Sequence, residues 1–154
     1  MEYDGRALDH EDRILRGIRQ FAPDILIHLG DVCFGDYEQW HEKLFEATGN
    51  AKRWLIRGNH DVNSYTWYIE HGWDFVGQLV QMDRLGLKVI FTHALYAGLL
   101  PVEGVSIHGH NHKSIRDKTN CEIGLHLPDN NYQPYSLDSL LRQHQKGYKQ
   151  KDEN

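Results

Sequence analysis

Apolar positions along this chain follow a helical period in some stretches and form short continuous runs in others. Between Asp9 and Gln20, the residues Ile14, Leu15, Ile18 and Phe21 line one stripe, with Asp9 at the N-cap and Asp12 three positions on. That spacing predicts an amphipathic helix, ended by Pro23. Asp24-Ile25-Leu26-Ile27-His28-Leu29 is a short apolar run that stops at Gly30-Asp31, so it reads as a strand buried on both faces. A second helix is predicted from Tyr37 to Ala47, with Tyr37, Trp40, Leu44 and Phe45 inward and Gly49 closing it. Arg53-Trp54-Leu55-Ile56-Arg57 then gives another strand, running into Gly58-Asn59-His60-Asp61.

The second half has less helix between its strands. Leu87 to Phe91 leads to Thr92-His93, and Val105-Ser106-Ile107 leads to His108-Gly109-His110-Asn111-His112. Cys121-Glu122-Ile123 adds a further strand, and Ser136 caps a last helix carrying Leu137, Leu140 and Leu141. Trp67, Trp73, Phe75 and Val76 are expected to fill the layer between the halves. Four strands thus end in polar tips. In open α/β sheets ligands bind beyond the carboxyl ends of strands, so these tips are expected to converge on one site.

Length and charge narrow the class. The 154 residues fit one α/β (α+β) domain spanning residues 1–154, with 145–154 expected as a frayed tail. A net charge of −5 opposes non-specific nucleic-acid binding, which needs surplus Lys and Arg. No apolar run approaches the roughly 20 residues that cross a bilayer. Two cysteines 88 positions apart, Cys33 and Cys121, and no visible secretory signal point to a reducing, cytoplasmic location.

The 11 histidines change the picture more than any other count. At the strand tips stand the carboxylate of Asp31, the amide of Asn59 and the imidazoles of His60, His93, His110 and His112. Mixed nitrogen and oxygen donors suit divalent transition metals such as Mn, Fe, Co, Ni or Zn. A carboxylate can bridge two ions, and an amide oxygen is a neutral ligand that leaves net positive charge on the metal. Such ions polarise a phosphoryl oxygen and lower the pKa of a bridging water to make hydroxide. Gly30, Gly58 and Gly109 stand beside these ligands, where a sharp turn or a close backbone approach is expected. From this composition Gly-Asn-His-Asp arises by chance in about 0.4% of such chains, and Gly-His-x-His in about 7%. His41, His71 and His144 read as surface residues. His28 and His108 read equally as groups orienting a ligand or as packed strand histidines. Arg57 reads either as a phosphate contact or as half of a structural ion pair. The apolar loop Ala94 to Pro101 reads as a lid or contact surface.

Gly30-Asp31, Gly58-Asn59-His60-Asp61, Thr92-His93 and Gly109-His110-Asn111-His112, in that order on strand ends, resemble the calcineurin-like metallophosphoesterase family. Tyr3-Asp4-Gly5-Arg6, His28-Leu29-Gly30-Asp31-Val32 and Pro134-Tyr135-Ser136-Leu137-Asp138 resemble its small bacterial and phage members. The resemblance implies a two-sheet β-sandwich flanked by helices, with a two-metal site between the sheets. It implies that Asp31 bridges both ions, that Asn59, His93 and His110 complete the second site, and that His112 belongs to the first. His60 would contact the phosphate and protonate or orient the leaving oxygen, so His60 and Asp31 are the expected catalytic residues. A small phosphorylated molecule would be the substrate.

One departure qualifies the resemblance. The family's first motif, Asp-x-His on the first strand, is absent from these residues. The nearest substitute, Asp9-His10, reads as a helix cap and a surface residue. The expectation is a chain shortened at its amino end by about 15 to 25 residues, the length of a strand and loop. The second site then keeps four ligands while the first keeps Asp31 and His112. One ion bound well, the other weakly or not at all, and reduced activity follow from that count. The alternative reading is a binding or scaffold module that keeps the fold but is impaired in catalysis.

Overall fold

The structure is a computed structural model, and it describes residues 9–95, 104–110, 120–123 and 130–149. Helix α1 (His10–Phe21) buries Leu15 and Ile18 and ends at Ala22, whose left-handed backbone lets its N–H donate to the Ile18 carbonyl just before Pro23. Asp9 holds the N-cap position, but its carboxylate pairs with Arg13 Nε at 2.9 Å and caps no N–H. The expected side-chain cap is therefore replaced by an ion pair one turn along.

Strands β1 (Ile25–His28), β2 (Lys52–Ile56) and β3 (Phe75–Gly77) form a parallel sheet in that order. Helices α2 (Tyr37–Thr48) and α3 (Tyr65–Glu70) supply the crossovers that parallel strands require. Asp36 caps α2 by accepting from Gln39 N–H, and Gly49 closes it. The second sheet contains β4 (Leu79–Arg84), β5 (Leu87–Thr92), β6 (Gly104–His108) and β7 (Asn120–Glu122) in sequence order. Its β4 and β5 form an antiparallel hairpin about Leu85-Gly86, while β5, β6 and β7 run parallel. Ser136 Oγ accepts from Ser139 N–H at the start of α4 (Leu137–Lys149), which continues into the stretch expected as tail.

Neighbouring residues of β2 face opposite layers, as strand pleating requires. Leu55 packs with α1, α2 and α3 through Leu15, Ile18, Leu44, Tyr68 and Trp73. Ile56 faces the second sheet and α4, among Val89, Phe91, Val105, Ile107 and Leu141. The fold is thus two sheets flanked by helices, the expected class. Arg84 binds Asp138 through two hydrogen bonds of 2.7 and 2.9 Å, joining β4 to α4.

Three expectations are corrected. Trp67, Trp73 and Val76 lie on the helix-covered side of the first sheet, not between the halves, and Phe75 is 36% exposed. Their position follows from α3 and β3, which bring them under α2. The run at Ile25 to His28 packs on both faces, Leu26 against the helix-side core and Ile27 against the second sheet, but it is half-buried rather than fully buried, with Ile25 47% exposed. His41 is not a surface residue but is 98% enclosed, since its spacing of four from Tyr37 places it on the inner stripe of α2. Among the described residues no helix is long and apolar enough to cross a membrane.

Candidate metal centre

The carboxyl ends of β1, β2, β5 and β6 carry the site. Gly30 turns the chain after β1 with φ +92, and Asp31 follows with φ +53, a left-handed conformation that a non-glycine residue seldom holds. A Cβ on Gly30 would lie 2.4 Å from Gly58 N and 2.6 Å from the Ile56 carbonyl oxygen. A Cβ on Gly58 would lie 2.1 Å from Asp31 Oδ1. The two turns touch backbone to backbone, and only glycine permits it. Gly109 differs from the expectation: a Cβ there would meet nothing closer than Ile123 O at 3.5 Å.

Asp61 holds this contact together. Its carboxylate, 2% exposed, accepts from Asp31 N–H at 2.8 Å, Val32 N–H at 3.0 Å and Gly58 N–H at 2.8 Å. Sequence reasoning gave Asp61 no role, because those partners lie on another loop. The other half of the clamp is His60 N–H, which donates to Asp31 Oδ1 at 2.9 Å. On the far side His28 Nδ1 accepts from Gly30 N–H at 3.1 Å, so His28 serves the turn. Its burial pushes its pKa down, toward the neutral ring that can accept.

Four donor groups converge at the tips. His93 Nδ1–H donates to the Leu29 carbonyl at 2.6 Å, which leaves Nε2 as the ring's lone-pair atom. That Nε2 lies 3.1 Å from Asn59 Oδ1, 2.9 Å from His110 Nδ1 and 3.4 Å from Asp31 Oδ2. The ligand atoms of Asp31, His93 and His110 all fall within 4.8 Å of one another. His110 reaches them through a backbone with φ +74, and Gly109 N–H donates to the His93 carbonyl, fixing the β5 and β6 tips together.

Crowding of this kind brings lone pairs together, and a cation is what satisfies them. Burial works to raise the Asp31 carboxyl, but when His93 Nε2 carries a proton its hydrogen bond, together with that from His60 N–H, outweighs burial and holds the carboxyl below the usual carboxylate range. Burial works to lower His93, but the bonds to Asp31 and the Leu29 carbonyl outweigh it and raise the ring. A proton and a metal ion compete for the same Nε2 lone pair, so metal binding releases a proton. The donor set of one carboxylate, one amide oxygen and two imidazoles fits a divalent transition metal.

Other candidates fall elsewhere. His60 is exposed at the rim, its ring 4.6 Å from that of Phe34 and its carbonyl accepting from Tyr37 O–H at 3.0 Å. His112 lies outside the described residues, as does the apolar loop after Leu95. His71 is partly buried, stacked on Trp67 at 3.8 Å. His108 is buried at the end of β6. Arg57 donates to the Asp61 carbonyl at 2.6 Å and lies 4.7 Å over the Tyr65 ring; among the described residues it forms no ion pair. Burial pushes the Cys33 thiol up to about 11, so it stays protonated beside the site.

A family model described as calcineurin-like phosphoesterase matches residues 7–152. Among solved structures, the protein of unknown function AQ665 from Aquifex aeolicus is similar, with TM-score 0.63 and 19% identity over 90% of this chain and 87% of that one. YfcE, a phosphoesterase from E. coli, is similar with TM-score 0.54 and 19% identity, over 78% of this chain and 73% of that one. At such identity the two structures speak for the fold alone. No curated protein sequence matches the chain.

Proposed function

The chain belongs to the calcineurin-like phosphoesterase family, whose members are metal-dependent, and on that premise we propose that it hydrolyses a phosphomonoester or phosphodiester of a small molecule. The observation that carries this reading is the convergence of Asp31, Asn59, His93 and His110 at four strand tips. These four residues would hold one divalent ion of the Mn, Zn, Fe, Co or Ni type, and His112 would extend the set to a second ion as the family resemblance implies. When bound, the ion supplies Lewis acidity toward a phosphoryl oxygen and a water of lowered pKa.

The chain's own residues do the rest. Asp31 carries the negative charge of the site, and the Asp61 and His60 hydrogen bonds fix its direction. Asn59 adds an oxygen without adding charge. His93 is held in its ligating tautomer by the Leu29 carbonyl. The His60 imidazole stands at the open rim while its N–H and carbonyl are both tied down, a suitable place to hold a proton for the leaving oxygen. Cys33, buried and in no disulfide, suits a reducing cytoplasm.

Manganese titration calorimetry and hydrolysis of an aryl phosphodiester test the roles. We expect about one ion per chain in the four-ligand set. Asp31→Asn should abolish most metal binding, while His60→Ala should keep the metal and lower the rate about 10²- to 10⁴-fold. Hydrolysis unchanged in both variants would refute the reading.

A further inference from the structure

Two side chains stand out from the apolar surface of the described residues. Val62 is 68% exposed and Phe34 is 63% exposed, whereas the other exposed large hydrophobics do not pass 49%. Both belong to the clamped loops: Phe34 is three residues past Asp31, and Val62 directly follows Asp61. Leu95, 37% exposed, is two residues past His93. Water-exposed apolar surface forgoes the stabilisation that burial gives the chain's other aromatics, among them Trp73 and Tyr68. Exposed apolar side chains rimmed by polar residues suit ligand recognition.

The chain is anchored on both sides of Phe34. Val32 N–H before it is held by Asp61, and the Tyr37 hydroxyl after it is held by the His60 carbonyl. Gly35, with φ +111 and open space where a Cβ would stand, turns the chain immediately after it. A residue whose flanking segments are anchored loses less freedom when a ligand packs on it. Its centroid lies 4.6 Å from that of His60 with the planes at 58°, so the aromatic surface begins where the proton-holding imidazole ends.

We propose that the substrate's leaving group carries an aromatic ring, and that this ring packs on Phe34 beside His60. An aromatic pair also prefers a flat partner to a flexible chain, because rings attract through their quadrupoles as well as by area. This specificity role rests on the phosphoesterase reading above.

The test is calorimetric binding of three non-hydrolysable probes, methylphosphonate, hexylphosphonate and phenylphosphonate, to the manganese-loaded full chain. Wild type should bind phenylphosphonate more tightly than either alkyl probe. Phe34→Ala should weaken phenylphosphonate about two- to tenfold, the range of an aromatic pair, and leave methylphosphonate unchanged. Phe34→Trp should restore or strengthen it. A phenyl-to-methyl ratio that Phe34→Ala does not alter would overturn the proposal, as would a hexyl probe that gains as much as the phenyl one. Failure of all three probes to bind wild type would instead overturn the phosphoesterase reading, and this proposal with it.

Discussion

Replacing Asp61 by Asn tests how the metal centre is held. In the wild type, Asp61 Oδ2 accepts two backbone N–H groups, from Asp31 and Gly58, and Oδ1 accepts a third from Val32. Asparagine has one acceptor oxygen. Placed in the two-bond position, it keeps the bonds to Asp31 and Gly58 at neutral strength and turns an NH₂ toward Val32 N–H. Losing one charge-assisted bond and weakening two others in a buried site costs about 3–5 kcal/mol. For a chain of this size that lowers Tm by about 6–20 °C. Because the same bonds set the direction of Asp31, manganese affinity should fall about 10- to 100-fold, as for other groups that orient a metal ligand. Calorimetric melting with and without a chelator separates the two effects, since the backbone bonds exist without metal. A variant that melts within about 2 °C of wild type in chelator and binds manganese equally well would refute the clamp.

Two further outcomes follow from the geometry. Gly58→Ala would put a methyl 2.1 Å from Asp31 Oδ1 and should destroy manganese binding, whereas Gly109→Ala, with 3.5 Å of clearance, should retain it; equal calorimetric titrations for the two would contradict the close approach of the turns. His41 is enclosed by Phe45, Trp67, Tyr68 and Trp73, donates from Nδ1 to the Tyr37 carbonyl at 2.5 Å, and has its pKa lowered by burial against the opposing pull of that bond and of Asp61. A histidine whose folded pKa is depressed contributes stability that is complete above its unfolded value near 6.5 and is lost as pH falls below it toward the folded value. His41→Phe should therefore lose less Tm than wild type between about pH 7.5 and pH 5.5. An identical drop in both proteins would show that His41 is not the titrating group.

The strand tips were legible because each short apolar run stops abruptly at a glycine or at a polar ligand type. That pattern located β1, β2, β5 and β6 and brought forward Asp31, Asn59, His93 and His110. Phe75–Gly77 and Leu79–Arg84 were not read as strands, the first being three residues long and the second mostly exposed, so that their pairing with β2 and β5 decides them. His41 was legible in principle, since its spacing from Tyr37 matches the inner stripe, but a polar residue type outweighed the period. Asp61 was visible in its motif, yet its function depends on N–H groups about 30 residues away, which no local pattern shows. Leu29 contributes to the site only through a carbonyl, and side-chain reading has no means of finding that.

The chain passes from the first sheet to the second at Gln78, between β3 and β4. The donors divide the same way, with Asp31 and Asn59 from the earlier half and His93 and His110 from the later one. An ion held by all four therefore ties together the two sequence-contiguous halves that also share the core around Ile56. Any ligand that binds only the folded arrangement stabilises it by mass action, about 2.7 kcal/mol at a hundredfold excess over its dissociation constant. Metal supply would then add to the stability with which the two halves hold together.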